Sequence, residues 1–286
     1  MSQRIEVNMP DLPFAVEEEM SRLRINIRFC GKETRKILVT SSVPDEGKSF
    51  VTMHLWRMLA EAGFKTAVLD LDLRKSVLAK RHDMKHEGEI RGIDWYLSGQ
   101  AAYEDVIYET NVENGFILPC STPLENPSVL FEGDAFPELM GRLSEDFRFV
   151  LADTPPLVSV ADGALVASHC DGALLVIRSG YASRRLVRQS VQQLGQVGCR
   201  LLGTVLNRVD TGARAYGYGY GYGYYRKGYG YGYGGYGYGR GEEEAKGGPW
   251  PAAKEAWGRL KGALPRALGG RAAPIDEVSA GSGLRT

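Results

Sequence analysis

Cysteine is scarce in this chain: four in 286 residues, at 30, 120, 170 and 199, with no CxxC or Cys/His spacing. That scarcity excludes a disulfide frame and a thiolate zinc site, and it predicts reduced, mostly buried thiols of a cytoplasmic protein. Net charge is also missing. Lys+Arg and Asp+Glu both number 35, so no overall basic field exists to hold nucleic acid. No stretch approaches the roughly 18 uninterrupted apolar residues of a membrane span. The best candidate, Gly163 to Ile177, contains His169 and Asp171. The opening, MSQRIEVNMPDLPF, lacks the basic-then-apolar pattern of a signal peptide. A membrane role is therefore expected to act through a partner or a surface helix.

What is abundant is concentrated. Eleven of the fifteen tyrosines fall between Tyr216 and Tyr238, mostly with one glycine between neighbours. Glycine carries a large ordering entropy and gives adjacent phenols little to pack against, so no ordinary core segment reads this way. The pattern predicts hydroxyls presented to whatever reaches them.

Before that tract, short apolar runs alternate with helical patterns. Val16, Met20, Leu23 and Ile27 have the spacing of an amphipathic helix. Runs at Ile37–Thr40, Thr66–Asp70, Phe116–Pro119, Phe147–Ala152, Ala173–Ile177 and Leu202–Leu206 read as strands. Helices are expected from Lys48 to Ala62, stopped by Gly63, and near Ala135–Ser144, Val160–Ser168 and Ser183–Val197. This order predicts an α/β fold, a mainly parallel sheet with helices on both faces. The expected divisions are a helical segment over 1–34, a nucleotide-binding domain over 35–210, the Gly/Tyr tract over 211–241, and a tail over 242–286. In that tail Ala253, Trp257, Leu260 and Leu264 have helical spacing, weakened by Gly258, Gly262 and Pro265. It is expected to be disordered or weakly helical.

The loop from Ser42 to Ser49 has the spacing of a P-loop, with Ser42 where the first glycine usually stands. Backbone N–H groups and a helix N-terminus point at phosphate oxygens in such a loop. Lys48 serves as the cation on the β/γ oxygens, and the Ser49 hydroxyl as an Mg²⁺ ligand. Ser42, Pro44, Asp45, Glu46, Gly47, Lys48, Ser49 and Phe50 are the candidate nucleotide contacts. Two further strands end in acids: VLDLDLR, with Asp70 and Asp72 turned the same way by the period of two, and FVLADTPP, with Asp153. In a parallel sheet all carboxyl ends share one edge. Lys48, Asp70, Asp72 and Asp153 should therefore converge on one Mg–nucleotide, with Ser49, Asp72 and Asp153 as candidate metal ligands.

Together PDEGKS, LDLDLR and ADTPP resemble the Walker A, A′ and B boxes of the bacterial tyrosine kinases, P-loop proteins distinct from eukaryotic kinases. The similarity runs from about Glu17 to Asp210 and includes GIDWYLSG, NPSVL and GTVLNRVD. It implies an ATP- and Mg²⁺-dependent protein-tyrosine kinase that phosphorylates a tyrosine cluster behind its own catalytic domain. Here that cluster is Tyr216, Tyr218, Tyr220, Tyr222, Tyr224, Tyr225, Tyr229, Tyr231, Tyr233, Tyr236 and Tyr238. The resemblance also implies a role in capsular or extracellular polysaccharide synthesis and export, and a membrane-spanning chain-length-determinant partner that holds the chain at the inner face of the cell membrane. A homo-oligomer and a cognate tyrosine phosphatase belong to the same expectation. Of the family's oligomerisation motif E-x-x-R-x-x-R followed by N-I, Glu18, Arg24, Asn26 and Ile27 fit, and Ser21 stands in place of the first Arg.

On this reading Asp70 or Asp72 takes the phenol proton. Arg74 contacts phosphate or pairs with the acids, and Asn207 contacts the nucleotide base or simply turns the chain. A glycine-rich tether spans roughly 5–6 Å × √n, about 13 Å to Tyr216 and about 30 Å to Tyr238, which favours transfer to distal tyrosines of a neighbouring copy. The alternative is a positioning or partitioning ATPase of the same branch, a switch with no tyrosine substrate. Such relatives carry an extra lysine early in the loop, where this chain has Ser41-Ser42-Val43-Pro44.

Overall fold

The computed structural model describes residues 3–210. Eight strands form one sheet: β1 (Arg4–Ile5), β2 (Lys36–Ser41), β3 (Thr66–Asp70), β4 (Tyr108–Thr110), β5 (Gly115–Leu118), β6 (Phe149–Asp153), β7 (Gly172–Arg178) and β8 (Leu201–Asn207). Their spatial order is β1-β4-β5-β3-β6-β2-β7-β8. Every pairing is parallel except β4 with β5.

The central strands are apolar at every position because both faces are covered. Alternate residues sort into two cores. Ile37, Val39, Val68, Leu151, Leu174 and Val176 pack against α1 (Phe14–Phe29) and α2 (Lys48–Glu61) on one face. Leu38, Ala67, Leu69, Val150, Ala152 and Leu175 line the other face. There they meet α4 (Ile93–Leu97), α6 (Ala135–Asp146), α7 (Asp162–Ala167) and α8 (Arg184–Gln196). Two short helices, α3 (Leu78–Arg81) and α5 (Ser128–Glu132), sit in the connections. The Gly/Tyr tract and the tail beyond it lie outside the described residues.

The predicted strands fall where the apolar runs place them, within two residues at either end. β1 and β4 do not announce themselves. They are two and three residues long, and their burial alternates, so no apolar run marks them. The N-terminal segment joins the sheet through β1. Ile5 and Val7 are buried, Glu6 exchanges backbone hydrogen bonds with Lys85, and Asn111 clasps Val7 by both its amide atoms. In α1, Met20 and Ile27 turn inward, while Phe14, Ile25 and Phe29 are exposed. All four cysteines are free thiols.

Candidate functional site

The parallel arrangement brings the ends of β2, β3, β6, β7 and β8 to one edge, and the candidate residues gather there. In β3 the period of two that sends Val68 to the α2 face sends Asp70 there too, and Leu151 and Asp153 do the same in β6. The ladder makes Asp70 and Asp153 direct neighbours across the strands. Lys48, first residue of α2, reaches across to Asp72 with Nζ 3.2 Å from Oδ2. One lysine thus faces three acids.

Electrostatics follow from this crowding. Burial works against the Lys48 charge, but Asp153, Asp72 and Asp70 outweigh it and hold the ammonium protonated more firmly than usual. Asp70 is pushed up to about 8, by burial first. A hydrogen bond from Ser76 Oγ (2.5 Å) opposes this, and the Asp153 and Asp72 charges add to it. Burial also raises Asp153, against the pull of Lys48 and of hydroxyls from Ser49 and Thr52; Thr52 Oγ1 donates to Oδ1 at 3.1 Å. Asp70 Oδ1 is buried and finds no hydrogen-bond partner among the described residues. A buried acceptor left over costs free energy, of order 1–3 kcal/mol. Hard oxygen donors crowded around an unpaired acceptor are the donor set that Mg²⁺ takes.

The loop itself is braced from inside. Glu46 is fully buried, and its carboxylate accepts from the backbone N–H groups of Ser42 (2.7 Å), Val43 (2.9 Å) and Arg178 (3.2 Å). Ser42 is also buried, and Ser190 of α8 donates to its hydroxyl at 3.0 Å. The hydroxyl contact gives a serine at this position a purpose a glycine lacks. Pro44 and Asp45 form the exposed crown, Asp45 with φ 62°. Gly47 has φ 94°, and a Cβ there would lie 2.1 Å from Asn207 Nδ2. Only glycine fits both the backbone and the space. Phe50 lies against His54, ring centres 4.4 Å apart.

Two residues have partners that spacing did not reveal. Asn207 at the end of β8 donates from Nδ2 to the Glu46 carbonyl at 2.9 Å and accepts from Arg208 N at 2.8 Å. It fastens the last strand to the phosphate loop. Arg74 turns to Asp162 in the first turn of α7, Nε to Oδ2 2.6 Å, and also donates to the Glu125 carbonyl and to Ser128. Ser128 donates to the same Asp162. This tie joins three segments far apart in sequence, and it gives Asp162 and Ser128 a role that spacing does not show. The serine within NPSVL was the available signal; Asp162, 88 residues from Arg74, had none.

A strand–loop–helix with its lysine on a cluster of strand-end acids, set in a sheet of this order, defines a P-loop nucleotide-binding domain. The family model described as the CobQ/CobB/MinD/ParA nucleotide binding domain matches residues 37–216. The tyrosine-protein kinase CpsD of Streptococcus agalactiae is 38% identical over 201 residues, 70% of this chain and 87% of that one. The kinase domain of the Escherichia coli tyrosine kinase ETK superposes with a TM-score of 0.64 at 28% identity, covering 74% of this chain and 87% of that chain. The septum site-determining protein MinD of Pyrococcus horikoshii, complexed with Mg-ADP, follows at 0.51 and 27%, covering 62% and 71%. The chain belongs to the bacterial tyrosine kinases. Among the described residues no helix is long and apolar enough to cross a membrane.

Proposed function

We propose that the chain transfers the γ-phosphoryl group of Mg–ATP to tyrosine hydroxyls in its own segment 216–238, mainly on a second copy. The observation that carries this reading is the edge where Lys48, Asp70, Asp72 and Asp153 meet, with Asp70 Oδ1 left unpartnered. Ser49, Asp72 and Asp153 would hold Mg²⁺, which when bound neutralises charge on the β- and γ-phosphates. Lys48 orients and stabilises the transferring group through its ammonium. Asp72 is already engaged by Lys48, whereas Asp70 keeps one free oxygen. Asp70 therefore takes the phenol proton as the tyrosine oxygen bonds to phosphorus and the ADP oxygen leaves.

The glycine spacing of the tract and the tether length support distal tyrosines as acceptors. The exposed Phe14, Ile25 and Phe29 of α1 support a role for residues 1–34 in homo-oligomerisation. By family, the chain works in capsular or extracellular polysaccharide polymerisation and export. It does so at the inner face of the cell membrane, through a membrane-spanning chain-length-determinant partner, and is reset by a tyrosine phosphatase.

The test is incubation of the full chain with Mg–ATP and phosphotyrosine mapping by mass spectrometry, with and without the partner's cytoplasmic segment, beside Lys48→Met and a deletion of 216–238. Phosphotyrosine within 216–238, lost in Lys48→Met, is expected. Hydrolysis of ATP with no phosphotyrosine in either condition would instead establish the partitioning-type switch.

A further inference from the structure

Beside the acid cluster, beyond β5, lies a groove of about 530 Å³ that the chemistry above does not use. Its apolar wall is Trp95, Leu124, Val129 and Leu130. Val129 is 62% exposed, an unusual place for a valine beside a half-buried tryptophan. Ser98, Gln100, Thr122 and Asn126 supply hydrogen-bonding groups around it. Among the described residues the charged ones lining it are acidic, Asp94 and Glu125. Asp94 is spent internally, accepting from Ser121 and Thr122. Glu125 adds a negative charge at the rim, and the Arg91 guanidinium lies over the Trp95 ring, 5.7 Å from its centre.

The groove is bound to the catalytic strand end. Leu124 N donates to the Leu73 carbonyl at 2.7 Å, and Arg74 donates to the Glu125 carbonyl at 2.6 Å. Burial first, then the charges of Asp70 and Asp94, push the thiol of Cys120, two residues past β5, upward. β5 is the strand next to β3, and Thr122 and Leu124 of the groove lie in the segment that follows it.

We propose that this groove seats one tyrosine of segment 216–238 while another tyrosine of the same segment is presented to the acids; the proposal rests on the kinase reading above. The fit is one of pattern, charge and chemistry. In an extended chain, Tyr-Gly alternation puts the phenols of Tyr216 to Tyr224 on one face with bare glycine on the other, and does the same within the run from Tyr229 to Tyr233. Rings then recur about every 7 Å, a step that lets one anchor while the next reaches a neighbouring site. An aromatic ring with a polar tip suits an apolar wall that has polar groups at its mouth. The charged residues between 216 and 240 are all basic, Arg226, Lys227 and Arg240, and their charge is complementary to the exposed Glu125 carboxylate. A repeating tract has a consequence of its own here, because any tyrosine can anchor and any neighbour can react. The groove acts on register and residence, not on the phosphoryl step.

The test uses the full chain with Val129 replaced by a benzophenone-bearing amino acid, a change its exposure tolerates. Irradiation followed by peptide mapping is expected to find cross-links concentrated in 216–238. Glu125→Lys in the same background is expected to lower their yield about fivefold through repulsion of Arg226 and Lys227. Cross-links that map to the folded domain of another copy, to a different segment, or nowhere would overturn the proposal, as would a yield insensitive to Glu125→Lys. Phosphotyrosine read in the same samples with Mg–ATP separates the two readings. Tract cross-links with no phosphotyrosine under any condition would sink the kinase chemistry and leave the docking site. Phosphotyrosine in the tract without cross-links to it would sink the docking site alone.

Discussion

Asp162, at the start of α7, and Asp70, at the end of β3, are equally buried, at 1% exposure each. Their surroundings differ completely. Asp162 accepts from Arg74 through both oxygens and from Ser128 as well, so its charge is paired and its lone pairs are used. Asp70 has one hydroxyl donor, an unpartnered oxygen, a like charge across the ladder, and a lysine already bonded to Asp72. A satisfied buried acid holds a structure together. An acid kept dissatisfied is available to something that arrives, a cation or a proton.

Substitutions can break or sharpen that contrast. The largest effect is expected from Lys48→Met, which removes the cation paired with the dissatisfied cluster. Phosphotyrosine formation should fall by at least about 100-fold, measured by mass spectrometry after a fixed exposure to Mg–ATP. Survival of a tenth of the activity would show that Lys48 is not the phosphate cation.

Next is Arg74→Ala, which turns Asp162 into an acid as poorly paired as Asp70. Asp162 then keeps only Ser128, and about 2 kcal/mol of stability should be lost. The figure is kept low because the Arg74 side chain is 32% exposed and shares its charge with water. The midpoint of urea unfolding reads it, and an unchanged midpoint would mean that the tie is ornamental.

Asp70→Asn should go the other way and stabilise the protein free of nucleotide. The folded-state value near 8 lies above that of an unfolded aspartate near 3.9. The native chain is therefore at full advantage below the unfolded value and loses stability as pH rises toward 8. The melting temperature of the asparagine variant should match the parent near pH 4 and exceed it by a few degrees at pH 8. A gap that narrows as pH rises would contradict the assignment. The smallest effect belongs to Ser190→Ala. It strands the buried Ser42 hydroxyl and should cost about 1 kcal/mol, seen as a small shift in the same unfolding midpoint.

Why the acids were legible and their roles only partly so has a physical cause. Strands buried on both faces leave uninterrupted apolar runs, and a charged residue closing such a run is conspicuous. Lys48, Asp70, Asp72 and Asp153 were readable for that reason, and the shared edge of a parallel sheet brought them together. Spacing carries no information about contacts made across a fold. The Arg74–Asp162 pair, the Ser190–Ser42 contact and the clasp of Asn207 on Glu46 span 88, 148 and 161 residues. Asp162 and Ser190 look unremarkable in their own neighbourhoods. Glu46 read as part of a phosphate loop by position, and only coordinates show its carboxylate turned inward on Ser42 and Val43. β1 and β4 escaped because a two- or three-residue edge strand has no period to detect.

The rung where Asp70 sits beside Asp153 has a consequence for how this sequence can change. Two leucines at those positions would suit the strands better and relieve a repulsion at the centre of the sheet. Drift toward greater robustness would therefore erode this rung first. The sturdiest descendant of this chain would be an inert one, and the acids persist only where their use outweighs the loss.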